Sequence, residues 1–320
     1  MTQSTAAGPA YDLPVRPSEE PIEPAPAPRP AMVRSLLRTA RPKQWVKNIL
    51  VFAAPAAAGK LTHSGVIADA LLAFAAFTLA SVSTYFVNDA LDHEADRRHP
   101  KKRHRPIAAG HVSLGTAWAV AIITMAGGLG LAFGLLSAKT GLLITGYVTM
   151  TLSYSFWLKH VAVVDLVCVA AGFVLRMIAG GIATDLWISN WFLTVACFSS
   201  LFVVAGKRYA ESIEMGEGSA GSRAVLSEYT PGFLRVAWAM AMAVAVAAYY
   251  QWAFERAAAV GSHVWYQLSA VPWVVGLLRY ALLLERGHGG APEDVLLSDR
   301  VLQVVGAIWL GLFLLGVYDH

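Results

Sequence analysis

Residues 67–105 read IADALLAFAAFTLASVSTYFVNDALDHEADRRHPKKRHR. From Ile67 to Leu91 the run is apolar apart from Asp69 until it reaches Asn88 and Asp89. At about 1.5 Å of rise per residue, roughly 20 such residues cross a hydrocarbon core about 30 Å thick, so the run is a transmembrane helix. Its end changes character abruptly: Asp89, Asp92, Glu94 and Asp96 crowd into one stretch, and a block of arginine and lysine follows at once. Carboxylates at the mouth of a membrane helix are costly and call for a partner.

The same apolar reading extends over most of the chain. Of 320 residues, 56% are hydrophobic and 14% charged, which exceeds what an ordinary soluble domain hides in its core. Apolar runs fall near 45–61, 67–91, 114–136, 139–157, 162–184, 190–206, 233–255, 264–284 and 300–318. The fold class expected is therefore all-α, a polytopic membrane protein with a bundle of about nine transmembrane helices. The first run contains Pro55 and is expected to be tilted, kinked or partly interfacial.

Lys and Arg distribute unevenly between alternate loops. One side collects Arg34, Arg38, Arg41, Lys43 and Lys47, then Arg97 to Arg105, Lys159, Lys207, Arg208, Arg223, Arg286 and Arg300; the other keeps Lys60, Lys139 and Arg256. By the positive-inside rule the N-terminus is cytoplasmic and the C-terminus outside. The net charge of +4 is thus explained by topology, and no nucleic-acid partner is expected. Residues 1–33 hold eight prolines among Ala, Glu and Ser and read as a disordered tail without the pattern of a secretory signal, leaving 34–320 as one transmembrane domain. Cys168 and Cys197 lie inside apolar runs and read as small buried residues.

On a continuous helix Asp89, Asp92 and Asp96 share a face about 60° wide, with Asn88 on its flank. Three neighbouring carboxylates repel one another, and a divalent cation relieves them. Magnesium suits oxygen donors and commonly shares its shell with substrate phosphates, so Asn88, Asp89, Asp92 and Asp96 are the expected metal ligands of a magnesium diphosphate site. A solvated acidic helix end is the plainer alternative. Arg98, Lys101 and Arg105 in the following block would neutralise phosphate oxygens that the metal does not reach.

At Asn88 to Gly110, with its acid cluster, His99-Pro100, Lys101, Arg105-Pro106 and Gly110, the chain resembles the UbiA superfamily of intramembrane prenyltransferases. The resemblance implies a nine-helix bundle with a cytoplasm-facing cavity in a bacterial plasma membrane. The superfamily's second aspartate-rich signature is replaced here by Gly206-Lys207-Arg208-Tyr209-Ala210-Glu211. Together with Arg41-Pro42-Lys43-Gln44-Trp45-Val46-Lys47-Asn48, that stretch resembles the decaprenyl-phosphate phosphoribosyltransferase branch. The branch implies transfer of 5-phosphoribose from phosphoribosyl diphosphate to decaprenyl phosphate, giving decaprenylphosphoryl 5-phosphoribose, a cell-wall arabinan precursor, and pyrophosphate.

Three anionic groups on two such substrates need many bases, and Lys43, Lys47, Arg98, Lys101, Arg105, Lys159, Lys207 and Arg208 all fall on the cytoplasmic side. Asp89, Asp92 and Lys207 are the expected catalytic residues, while Tyr85, Tyr154, Arg176 and Glu211 join the substrate-binding set. Arg176 lies inside a span and would meet the acceptor phosphate or a carboxylate, unless it merely locks the bundle. Asp165 either caps its helix or serves a polar site. Within the same fold, prenyl transfer to an aromatic acceptor is the alternative reaction. A transporter is the alternative of another class, disfavoured because the outer halves of the spans are nearly free of charge. The sequence leaves homo-oligomerisation open.

Overall fold

The computed structural model describes residues 31–100, 102–214, 224–259, 264–287 and 292–318. The tail expected over residues 1–33 lies outside the described residues apart from its end, where Met32 already opens a helix. Among the described residues every regular element is helical.

A short helix α1 (Met32–Ala40) is followed by a helical turn α2 (Pro42–Trp45), a 3-10 stretch over Val46–Phe52 and a short α3 (Ala53–Ala57). The run expected as one span near 45–61 is thus broken into three pieces. Arg41 sits between α1 and α2 at φ 53° and ψ 62°, the left-handed region that a non-glycine residue rarely holds. The long helices follow as α4 (Ser64–Leu91), then the short α5 (His93–Arg98), α6 (Leu114–Leu131), α7 (Ala138–Phe156), α8 (Val164–Ala183) and α9 (Asn190–Glu214). The bundle is completed by α10 (Pro231–Ala259), α11 (Val264–Glu285), a short α12 (Pro292–Ser298) and α13 (Arg300–Tyr318).

Seven of these helices are long and apolar enough to cross a membrane, which makes the chain a multi-pass membrane protein. The count differs from nine because the first run is segmented and because α7 is more polar than its neighbours. Much of the polarity of α7 is absorbed within the helix. Thr145, Thr149, Thr151 and Ser155 each donate a hydroxyl to the carbonyl four residues back, at 2.8–2.9 Å, so these four need no outside partner.

Without water to drive helices together inside a bilayer, close backbone approach does the work. Ala70, Ala73, Ala76 and Ala80 on α4 are fully buried, and α4 packs along α6. A Cβ on Gly128 of α6 would lie 2.9 Å from the Ala76 carbonyl oxygen, so only glycine permits this spacing. The Val46–Phe52 stretch presses still closer on α8: a Cβ at Gly180 would fall 1.7 Å from the carbonyl oxygen of Val51. α9 pairs with α10, and α11 with α13.

Candidate active site

α4 does not continue through the acidic motif as one helix. It ends at Leu91, Asp92 forms the joint at φ −84° and ψ 2°, and α5 starts at His93. The single face expected for Asp89, Asp92 and Asp96 is therefore divided. Asp89 and Asp96 are both buried, and Arg105 Nη1 bridges them, 3.2 Å from Asp89 Oδ1 and 2.7 Å from Asp96 Oδ2. Arg41 Nη2 lies 2.5 Å from Asp89 Oδ1, and its guanidinium rests 4.9 Å from the centre of the Tyr85 ring. Two buried like charges would repel without such compensation, and here arginines supply it.

Asp92 is half-buried and forms no ion pair among the described residues. On the same motif, Asn88 Oδ1 is buried and has no hydrogen-bond partner among the described residues. No three His, Cys, Asp or Glu side chains among the described residues already converge as a metal cage. The donors nonetheless fit a hard cation: they are all oxygen, and the buried amide carbonyl of Asn88 lacks a partner.

A second ionic cluster joins α7, α8 and α9. The Arg208 guanidinium grips Asp165 with two hydrogen bonds, 2.8 Å from Nε to Oδ2 and 3.0 Å from Nη2 to Oδ1, and reaches Glu211 Oε2 at 2.9 Å. The Tyr154 hydroxyl donates to Asp165 Oδ1 at 2.6 Å. Asp165 and Arg208 are almost wholly buried. The expectation that Arg208, Glu211 and Tyr154 face substrate meets a different arrangement here, since their polar atoms are engaged with one another and with Asp165. Burying one charge requires its opposite beside it. Just ahead, Val163 holds φ at 68°, a conformation costly for a β-branched residue, with its N–H donating to the Tyr229 hydroxyl at 2.7 Å. Burial pushes the Tyr229 hydroxyl above its ordinary pKa.

Arg176 is buried and meets no carboxylate among the described residues. Its Nε donates to Asn48 Oδ1 at 2.7 Å, Nη2 to the Tyr147 hydroxyl at 2.9 Å and to Ser81 Oγ at 3.4 Å, and Nη1 to the Gly172 carbonyl. The guanidinium also stacks 4.8 Å from the Tyr147 ring centre. This arginine ties α4, α7 and α8 to the Val46–Phe52 stretch through neutral partners. In that same stretch Lys47 Nζ lies 5.9 Å from the Phe173 ring centre.

The remaining bases divide by exposure. Lys43 and Arg98 are exposed, while Lys159 and Lys207 are half-buried, and none of the four has an ion-pair partner among the described residues. Lys101 lies outside the described residues. A cavity of about 200 Å³ lies elsewhere, between Trp187, Phe192 and Trp252, and shares no lining residue with the acidic helix end.

The sequence pattern of the UbiA prenyltransferase family matches residues 49–315. The chain belongs to this family. A decaprenyl-phosphate phosphoribosyltransferase of Corynebacterium glutamicum is 43% identical over 287 residues, covering 88% of this chain and 86% of the relative. One of Mycobacterium tuberculosis is 42% identical over 283 residues, covering 87% and 93%. A UbiA homologue of Archaeoglobus fulgidus, solved with DMAPP and Mg2+, shares the fold at a TM-score of 0.66 and 18% identity, covering 89% of this chain and 98% of its own.

Within this UbiA-family bundle, Arg41, Asn48 and Tyr147 are the contributors that sequence reading left out. Arg41 stands 48 residues before Asp89, and only the left-handed turn ahead of Pro42 brings the two together. Its place in the Arg-Pro-Lys-Gln-Trp stretch was the available signal. Asn48 closes the stretch that Arg41 opens and Tyr147 stands in an apolar run, and nothing in the sequence marks either as a partner of Arg176.

Proposed function

We propose that this UbiA-family chain transfers 5-phosphoribose from phosphoribosyl diphosphate to decaprenyl phosphate, releasing pyrophosphate. The observation that carries the reading is identity of 42–43% to phosphoribosyltransferases so named, over most of each chain, coupled to an acidic helix end ringed by bases. An oxygen of the lipid phosphate attacks the anomeric carbon of ribose; the bond from that carbon to the diphosphate oxygen breaks, and the electron pair leaves with pyrophosphate. The nucleophile is already anionic, so no strong general base is required. The transition state has oxocarbenium character, and the departing negative charge is what the protein must hold.

Asn88, Asp89, Asp92 and Asp96 would hold magnesium, which when bound supplies charge neutralisation at the leaving diphosphate. Arg41 and Arg105 already sit on Asp89 and balance the charge of the acids before substrate arrives. The same two guanidiniums are within reach of any diphosphate brought to those acids, and each can fork onto phosphate oxygens. Lys43, Lys47, Lys159 and Lys207 bring further charge for the 5-phosphate and the lipid phosphate. Asp165, Arg208 and Glu211 hold the end of α9 rigid beneath Lys207. The site faces the cytoplasm of a bacterial plasma membrane in this reading, and the product feeds cell-wall arabinan synthesis.

The test uses detergent-purified full-length protein with magnesium, labelled phosphoribosyl diphosphate and decaprenyl phosphate. A labelled lipid product with equimolar pyrophosphate is expected, abolished by EDTA and restored by magnesium. Turnover of a prenyl diphosphate with an aromatic acid, and none of phosphoribosyl diphosphate, would overturn the reading.

A further inference from the structure

The cavity apart from the acidic helix end has a chemistry of its own. Trp187, Phe192 and Trp252 form its apolar walls, and Ser189, Glu255 and Arg256 supply its polar lining. Ser189 Oγ is committed to the N–H of Phe192 at 3.1 Å, which leaves the two charges. Glu255 and Arg256 are neighbours in sequence, yet neither forms an ion pair with the other or with any described residue. The Arg256 guanidinium is half-buried, with the buried Tyr266 hydroxyl as a polar neighbour and no carboxylate beside it among the described residues. A cavity that holds an acid and a base, each without an opposite charge beside it, suits a ligand that carries both signs.

The cavity is far from the proposed chemistry. Arg256 lies 21 positions along α10 from Arg235, which contacts Glu285 at the end of the bundle that also holds Tyr209 and Arg208. At about 1.5 Å per residue that is about 32 Å, the full thickness of a hydrocarbon core. A site there cannot serve the reacting phosphate. Its volume of about 200 Å³ suits a head group and excludes acyl chains, and Trp187 stands 77% exposed at the rim, as tryptophans do at the membrane interface.

We propose that this cavity binds the head group of a zwitterionic aminophospholipid in the leaflet opposite the active site. The Arg256 guanidinium donates to the phosphate, Glu255 accepts from the ammonium, and the aromatic walls cover the glycerol end. A purely anionic head would meet the Glu255 carboxylate without a compensating cation, so the charge pair discriminates among lipids.

Native mass spectrometry on delipidated full-length protein tests this with phosphatidylethanolamine, phosphatidylglycerol and soluble phosphoethanolamine. Phosphatidylethanolamine should bind at least tenfold more tightly than either of the others. Glu255→Gln and Arg256→Gln should each weaken it at least tenfold, Arg256→Lys should keep most of the binding, and phosphoribosyl transfer should be unchanged in all three. Equal binding of the two lipids, or undiminished binding in Glu255→Gln, would overturn the proposal. Soluble phosphoethanolamine binding as tightly as the lipid would also overturn it, by making the ligand a free metabolite. Should Arg256→Gln fail to fold, the exposed Glu255 variant and Arg256→Lys decide the matter alone.

Discussion

Asp89 is a buried carboxylate that shares one oxygen with two arginines, and Arg208 is a buried arginine that shares its nitrogens with two acids. The two look alike in a sequence and differ in what removal does. Asp89→Asn leaves Arg41 and Arg105 partly exposed, with Arg105 still bonded to Asp96, so the protein should insert and melt nearly as the parent does. Transfer should fall by more than about a hundredfold, as expected for loss of a metal ligand. Retained turnover in a well-folded variant would remove Asp89 from the chemistry. Arg208→Leu, by contrast, strands Asp165 in the bundle interior, and breaking such a pair costs about 3–5 kcal/mol. Its melting temperature in detergent should drop sharply, whereas Lys207→Ala should melt like the parent and lose transfer at least about tenfold. A normal melting curve for Arg208→Leu would show that the cluster is not structural. The approach of Asp89 and Asp96 was legible because the spacing of the acids is a chemical pattern in itself. The pairing of Arg208 with Asp165 was not, because the partners stand 43 residues apart and each alone reads equally well as a substrate contact.

Helices were legible where apolar length alone decides them, and less so where polarity is satisfied locally or the backbone changes pitch. α7 looks marginal until its hydroxyls are seen to bond back into their own helix. The Val46–Phe52 stretch is held by contacts that no periodicity encodes: Gly180 at van der Waals distance from its backbone, and Arg176 bonded to Asn48. Gly180→Ala places a methyl group where the Val51 carbonyl stands, and the backbone must shift. Overpacking of this kind costs about 1–3 kcal/mol, read as a lowered melting temperature, and a melting curve matching the parent would show that the stretch is free to move. The start of α13 supplies a pH-dependent case. Asp299 caps it by accepting from the Leu302 N–H at 2.8 Å, and Arg279 Nη2 approaches its other oxygen at 2.6 Å. The Arg279 hydrogen bond, with that backbone N–H, holds the Asp299 carboxyl below the usual carboxylate range. A depressed folded-state pKa stabilises above the unfolded value of about 4 and loses that stability as pH falls through the folded value. The melting-temperature gap between parent and Asp299→Asn should therefore be full at neutral pH and shrink below about pH 4. A gap independent of pH would assign the effect to the cap geometry alone.

At the scale of the whole molecule the open question is how many times the chain crosses, since parity decides which side each loop meets. Arg41 contacts Asp89 near the end of α4, while Ala57 joins the cluster of Tyr249, Trp252, Phe313 and Val317 at the opposite end of the bundle. Seven residues of 3-10 helix at about 2.0 Å each, with nine of α-helix at about 1.5 Å, reach about 28 Å. An ordinary helix of the same length would fall short by about 4 Å, so the broken geometry gives a short segment the reach that a crossing needs. The 19 residues of α7 also reach about 28 Å. Counting both would bring the seven apolar helices to nine crossings, and a crossing α6 sets His104 and Lys139 on opposite sides. In a background with Cys168 and Cys197 replaced by alanine, His104→Cys should resist a membrane-impermeant maleimide in intact cells and react after lysis. Lys139→Cys should react in intact cells. Labelling of both from the same side would mean that α6 does not cross, and exposure of His104→Cys to the outside would reverse the topology and move the acidic helix end away from the cytoplasm, where a soluble sugar diphosphate is available.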